Sequence, residues 1–215
     1  MTTRKRVGLA VVSAGLGQPS STRLLADRLA EATRVALADQ DTDAEVTTLE
    51  LRDVATGIAH NFTTGFAGGA LRDGIERVTE ADGLIAVTPV FSASYSGLFK
   101  SFFDVIEPDA LAGKPVLLGA TGGTPRHSLV LEHAMRPLFA YLRTVTVPTA
   151  VYAATDDWAA PDDGVAPSLP RRIARAGGEL AELLAPRATE EAASRPEEPE
   201  VIPFEQQLAA LRVEE

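Results

Sequence analysis

The sequence predicts an α/β protein, a doubly wound five-stranded parallel sheet with helices on both faces. Two observations carry that prediction. Short, continuous apolar runs such as Val7–Val12 and Pro115–Ala120 have the look of strands covered on both sides. Helix-period segments lie between them, so strand alternates with helix five times, which is the pattern of parallel crossovers. The 215 residues suffice for one domain with a full core.

In chain order, Val7–Val12 is the first strand and stops at Ser13 and Gly15. Ser21–Asp39 reads as a helix because Leu25, Leu29, Ala32 and Ala36 form one stripe. Glu45–Leu51 alternates like a strand, and residues 52–67, without a clear period, read as a long loop. A helix over Gly69–Glu80 and a strand over Gly83–Thr88 follow. After a loop at 89–95 comes a helix over Ser96–Ile106, then a strand over Pro115–Ala120. Pro125–Leu142 reads as one helix, Val145–Ala153 as the fifth strand and Pro170–Leu184 as the fifth helix. The body is therefore residues 1–187. Residues 188–215 form an acidic linker and a short helix, opened by Pro203, with Phe204, Leu208 and Leu211 on one side.

Composition narrows the function. Thirty acidic against twenty basic side chains leave a net charge of −10, the wrong sign for nucleic-acid binding. The tail alone, with eight acids and two bases, holds −6 of it. No run of 18 apolar residues exists, which rules out a transmembrane helix. The basic start meets Gly and Ser too soon for a signal peptide, so the expected location is cytoplasmic. With no cysteine, thiol chemistry and Cys-ligated metals are excluded. His60, His127 and His133 have no metal-site spacing, so no metal is expected.

Ligands of an open parallel sheet sit outside the carboxyl ends of its strands. Three loops there carry chemistry. The first, Ser13–Thr22, runs into a helix N-terminus, where unpaired N–H groups and the dipole favour a phosphate. Ser13, Ser20, Ser21 and Thr22 add hydroxyls, and Arg23 is adjacent. It is neither a P-loop nor GxGxxG, although Glu50 could mimic the ribose-binding acid of a dinucleotide fold. The plainer reading is helix capping alone. The second loop, Thr88–Gly97, offers Phe91 and Tyr95 as flat surface among small residues; alternatively its aromatics tuck into the core. The third, Thr121–His127, has Thr124 as N-cap and Pro125 at the first helical position. Gly122 and Gly123 ahead of them form a nest suited to an anion or a developing negative charge.

Together the stretches ADGLIAVTPVFSASYSGLFKSFFDVI and LAGKPVLLGATGGTPRHSLVLEHAMRPLFAYLR resemble the NADPH-dependent FMN reductases of flavodoxin-like fold. The nearest likeness is to the reductase components of two-component alkanesulfonate and methanesulfinate monooxygenases. It spans about residues 5–185. The resemblance implies FMN, with its phosphate in Ser13–Arg23 and its ring between the 89–96 and 121–127 loops. Ser20, Ser21 and Thr22 match the family's phosphate-binding hydroxyls, and Gln18 stands where some relatives have Arg. Pro89, Val90, Phe91 and Ser92 match the ring loop, with Phe91 lacking a hydroxyl common there. Thr121, Gly122 and Gly123 match the loop at the pyrimidine edge, with Tyr95 and His127 as further pocket candidates.

The implied activity is hydride transfer from NADPH or NADH to FMN, which supplies reduced flavin to a partner monooxygenase. The flavin carries that chemistry, so no catalytic residue is assigned. Two alternatives stay open: an FMN-retaining quinone or azo reductase, and a non-enzymatic flavodoxin-like electron-transfer module. No basic cluster for a 2′-phosphate distinguishes NADPH from NADH. Finally, Pro137 inside the fourth helix cannot bond the carbonyl of His133, which predicts a kink or widened turn there. In the resembling family a Tyr or His inserted at that place lies at a subunit interface near the flavin. That assigns His133 to the interface of a homodimer or homotetramer.

Overall fold

A computed structural model describes residues 5–159 and 167–186. The expected tail helix with Phe204, Leu208 and Leu211 lies outside the described residues.

The sheet runs β2 (Thr42–Glu50), β1 (Lys5–Ser13), β3 (Gly83–Phe91), β5 (Pro115–Gly122), then β6 (Val145–Thr146) and β7 (Val151–Ala154), all parallel. A two-residue strand, β4 (Ser94–Tyr95), pairs antiparallel with the end of β3. Crossovers leave β1 and β3 in opposite directions across the sheet, which opens a crevice at their carboxyl ends. The apolar runs are continuous because each face has its own core. Val7, Leu9 and Val11 of β1 face α1 (Ser21–Ala38) and α6 (Leu169–Leu184), while Ala10 and Val12 face the other layer. That second layer holds α2 (Ala55–Thr64), α3 (Gly69–Glu80), α4 (Gly97–Asp104) and α5 (Arg136–Tyr141). Its centre is aromatic: Phe99, Phe103 and Phe139 are fully buried or nearly so, with ring centroids 4.8 to 6.2 Å apart.

Three expectations are corrected. The long loop at 52–67 is instead a 3₁₀ turn, Leu51–Val54, followed by α2. Only Ile58 of α2 is buried, so the helix leaves almost no hydrophobic stripe; Gly65, at φ 76°, ends it in the left-handed conformation. The fifth strand is split into β6 and β7 around Pro148, which cannot donate to the ladder. Side chains replace the lost ladder bonds. Arg136 donates to the carbonyls of Val147 and Pro148, and Glu179 accepts from the N–H and hydroxyl of Thr149 (both 2.7 Å). The fourth helix is not continuous either. It divides into a 3₁₀ turn (Pro125–His127), a π turn (Leu131–Met135) and α5. The widened turn expected beside Pro137 is present and contains His133. The N–H of Arg136 reaches back five residues to Leu131, and Pro137 has none to give.

Candidate active site

The carboxyl ends of β1, β3, β5 and β7 enclose a cleft of about 380 Å³, within the usual range for small-molecule sites. Its first wall is the turn Leu16–Thr22. Ser20 is the N-cap of α1, its Oγ accepting from the N–H of Arg23 (3.2 Å), which leaves the hydroxyl proton to donate outward. The N–H groups of Ser21 and Thr22 have no intrahelical acceptor, and no acidic residue lies in that first turn. Gly15 is required here, since a Cβ on it would come within 2.1 Å of Ser20 Oγ. A helix N-terminus with convergent hydroxyls is a site for a phosphate.

The second wall is Pro89, Val90 and Phe91 at the end of β3. Phe91 is 46% exposed, and covering its ring with a planar ligand would stabilise the complex by roughly 1–2 kcal/mol. Beyond it, Ser92 (φ 48°) and Ala93 (φ 67°) both have positive φ, the pattern of a type I′ hairpin turn without its usual Asn or Gly. The loop expected at 89–95 is therefore a tight hairpin, β3–β4.

The third wall is Thr121, Gly122 and Gly123. Thr121 Oγ1 lies 2.8 Å from Thr22 Oγ1, tying this loop to the first. The loop's far end is held by Tyr152, whose buried hydroxyl donates to the carbonyl of Thr124 (2.7 Å). Gly122 sits directly over that hydroxyl, 2.1 Å from where its Cβ would be, whereas a Cβ on Gly123 would enter open space. Burial and the charge of Asp157 hold the Tyr152 phenol above its ordinary pKa, so it stays a donor. Thr124 caps the N–H of Arg126 (3.0 Å) as expected.

The cleft thus brings together Ser20, Ser21, Thr22, Pro89, Val90, Phe91, Thr121, Gly122 and Gly123 of the expected residues. The other six stand outside its lining. Ser13 is fully buried, its hydroxyl without a partner. Arg23 is engaged by Asp27 and Glu50, each at 2.7 Å; the Asp27 bond chiefly raises its pKa. Glu50 also pairs with Arg52 (3.0 Å), so it does not stand free as a ribose-binding acid. Gln18, with its amide oriented to satisfy both groups, accepts from Arg52 at 2.7 and 2.9 Å. Ser92 is in the hairpin turn, and His127 ends the 3₁₀ turn. Tyr95 faces a separate groove of about 540 Å³ between α4 and α5, which His133, Pro137 and Tyr141 also line.

Sequence reasoning missed the fourth wall. Ala153 near the end of β7, with Thr155 and Trp158 just after it, lines the cleft beside Leu16, Gly17 and Pro19. The same strand-end rule that located three loops pointed to this one as well.

The profile of the family described as NADPH-dependent FMN reductase matches residues 7–159. The chain belongs to the NADPH-dependent FMN reductase family. An FMN reductase (NADPH) of Pseudomonas aeruginosa is 38% identical over 147 residues, 68% of this chain and 76% of that protein. The NADH-dependent FMN reductase SfnF of Pseudomonas putida is 34% identical over 150 residues, 70% of this chain and 78% of its own. Among solved structures, an oxidoreductase from Corynebacterium diphtheriae is 44% identical and superposes with a TM-score of 0.80, covering 86% of this chain and 99% of that one. An NADH:FMN oxidoreductase, EmoB, in its apo form is 25% identical with a TM-score of 0.66, covering 88% and 92%. This flavin reductase is an oxidoreductase that uses a reduced nicotinamide and FMN, on the flavodoxin-like fold the sequence predicted.

Proposed function

We propose that the cleft binds FMN, and that the protein releases it reduced to a separate flavin-dependent monooxygenase. The observation that carries this reading is the union, in one cleft, of a phosphate-type helix N-terminus with an apolar wall and a glycine nest. These residues fit FMN: the hydroxyls of Ser20, Ser21 and Thr22 and the first N–H groups of α1 hold the phosphate. Phe91 and Pro89 would support the ring, and the N–H groups of Gly122 and Gly123 would serve its pyrimidine edge. Bound flavin supplies the acceptor for a hydride from NADPH or NADH. The chain's residues supply position and a preorganised field, with Tyr152 fixing the third loop from below.

The neutral lining supports release over retention. Neither the Arg23 nor the Arg52 guanidinium lines the cleft, so a phosphate there would be held by neutral donors and a helix dipole. We place the protein in the cytoplasm; among the described residues no helix is long and apolar enough to cross a membrane. We assign the α4–α5 groove, with His133 on its π turn and Tyr141 75% exposed, to the contact of a homodimer or homotetramer.

Ultrafiltration after reduction under anaerobic conditions tests release. Reduced flavin in the filtrate, and product formation on adding a flavin-dependent monooxygenase, are expected. Flavin that stays with the protein through reduction would favour the retained-FMN reductase instead.

A further inference from the structure

The fourth wall of the cleft carries a consequence for which flavin is accepted. Trp158, the one tryptophan of the chain, ends the 3₁₀ turn Asp156–Trp158. That turn is braced. Asp157 accepts from the N–H of Ala154 (2.8 Å) and from Arg172 of α6 (3.0 Å), and Arg172 also donates to the carbonyl of Tyr152. The indole packs against the core beneath α1 and α6, and the Arg28 guanidinium lies over its ring, 5.1 Å from the centroid. With Arg28 on the ring and the core against it, the indole is a fixed wall and not an open platform for stacking.

Its position along the cleft follows from the layers. Trp158 belongs to the α1–α6 side of the sheet, the same side as the turn leading into α1. The ring loop leads the other way, since Val90 and Tyr95 pack against the opposite core. Trp158, Thr155, Leu16 and Pro19 therefore border the end of the cleft where the phosphate-type site lies. FMN terminates at its phosphate. FAD continues from that phosphate through a second one into adenosine, and this extension must leave at the end Trp158 borders.

We propose that Trp158 selects flavin mononucleotide over flavin adenine dinucleotide by closing the phosphate end of the cleft. The inference rests on the reading of this cleft as the flavin site. It does not involve the nicotinamide.

The test compares FMN, riboflavin and FAD in the full-length protein, by flavin-fluorescence titration and by kcat/KM at saturating NADPH or NADH. The wild type should bind FMN at least roughly tenfold more tightly than FAD. Trp158→Ala should narrow that ratio by about tenfold, chiefly by improving FAD, with riboflavin little changed. Trp158→Phe, which keeps an aromatic filler and the fold, should retain most of the selectivity. An unchanged FMN-to-FAD ratio in both variants, or a wild type that binds FAD as well as FMN, overturns the proposal. Failure of the wild type to bind any flavin overturns the cleft reading itself and is distinguished from the first result by that breadth.

Discussion

Ser20 has one role the structure shows and one proposed for it, and substitution can separate the two. Its Oγ caps α1 through the Arg23 N–H, and its hydroxyl proton is available to a ligand in the cleft. Ser20→Ala removes both. Loss of the cap costs about 1 kcal/mol of stability, within a range of 0.5–2. Loss of a hydrogen bond to a charged phosphate costs roughly 1.5–3 kcal/mol, or about tenfold to over a hundredfold in FMN affinity. Ser20→Gly removes the same hydroxyl but, at an N-cap, costs only about a few tenths of a kcal/mol in stability. The two variants should therefore differ in stability yet lose FMN affinity alike. Riboflavin, which has no phosphate, should bind both variants nearly as it binds the wild type. Denaturant unfolding gives the first quantity, and fluorescence titration with the two flavins gives the second. Equal losses for FMN and riboflavin, or affinity that tracks stability, would mean that Ser20 serves the helix and not the ligand.

Tyr152 should show in the alkaline limb of the stability curve. Its folded pKa is raised above the ordinary 10.0, so its stabilising contribution is complete below that value and is lost as pH rises through the folded one. Tyr152→Phe should flatten that fall in an unfolding series across alkaline pH. Gly122→Ala should abolish flavin binding, because its Cβ would meet the Tyr152 hydroxyl; adding Tyr152→Phe should restore part of it, leaving a 3.2 Å approach to the ring carbon. Where α6 crosses α1, Gly177→Ala places a methyl 2.8 Å from the Ala32 and Thr33 backbone and should destabilise by about 1–3 kcal/mol in denaturant. Its neighbour Gly178 meets nothing within 4 Å, so Gly178→Ala should stabilise by about 0.5–1 kcal/mol. His133→Ala should shift the assembly toward smaller species in light scattering while leaving the circular dichroism intact; an unchanged mass would remove His133 from the interface.

Much of this protein was legible because two-sided burial leaves a strong mark. Strands β1, β3 and β5 appear as unbroken apolar runs, and α3 has the bounds its period predicts. Helix α2 was not legible, since one buried residue makes no stripe; the Gly65 stop was its only signal. The split at Pro148 is a local rule that the sequence displayed, but the replacement partners Arg136 and Glu179 come from the helices on either side, α5 and α6, and depend on how those pack. In the site, glycines and hydroxyls next to strand ends marked three walls. Arg23 looked like a phosphate ligand because it adjoins the helix start. Asp27, one turn later, was a visible competitor, while Glu50 reaches it only through the pairing of β1 with β2. Trp158 was missed because its place depends on Asp157 and Arg172 holding a turn in register with the first loop.

This one cleft is proposed to bring FMN and a reduced nicotinamide together. Steady-state oxidation of NADPH and of NADH, followed by the loss of reduced-nicotinamide absorbance, tests it most directly when FMN is varied and Ser20→Gly is run beside the wild type. Oxidation should require FMN and saturate with it, and the variant should show a higher FMN requirement at similar maximal rate. Oxidation independent of added and bound FMN, or an identical FMN requirement in both proteins, would contradict it.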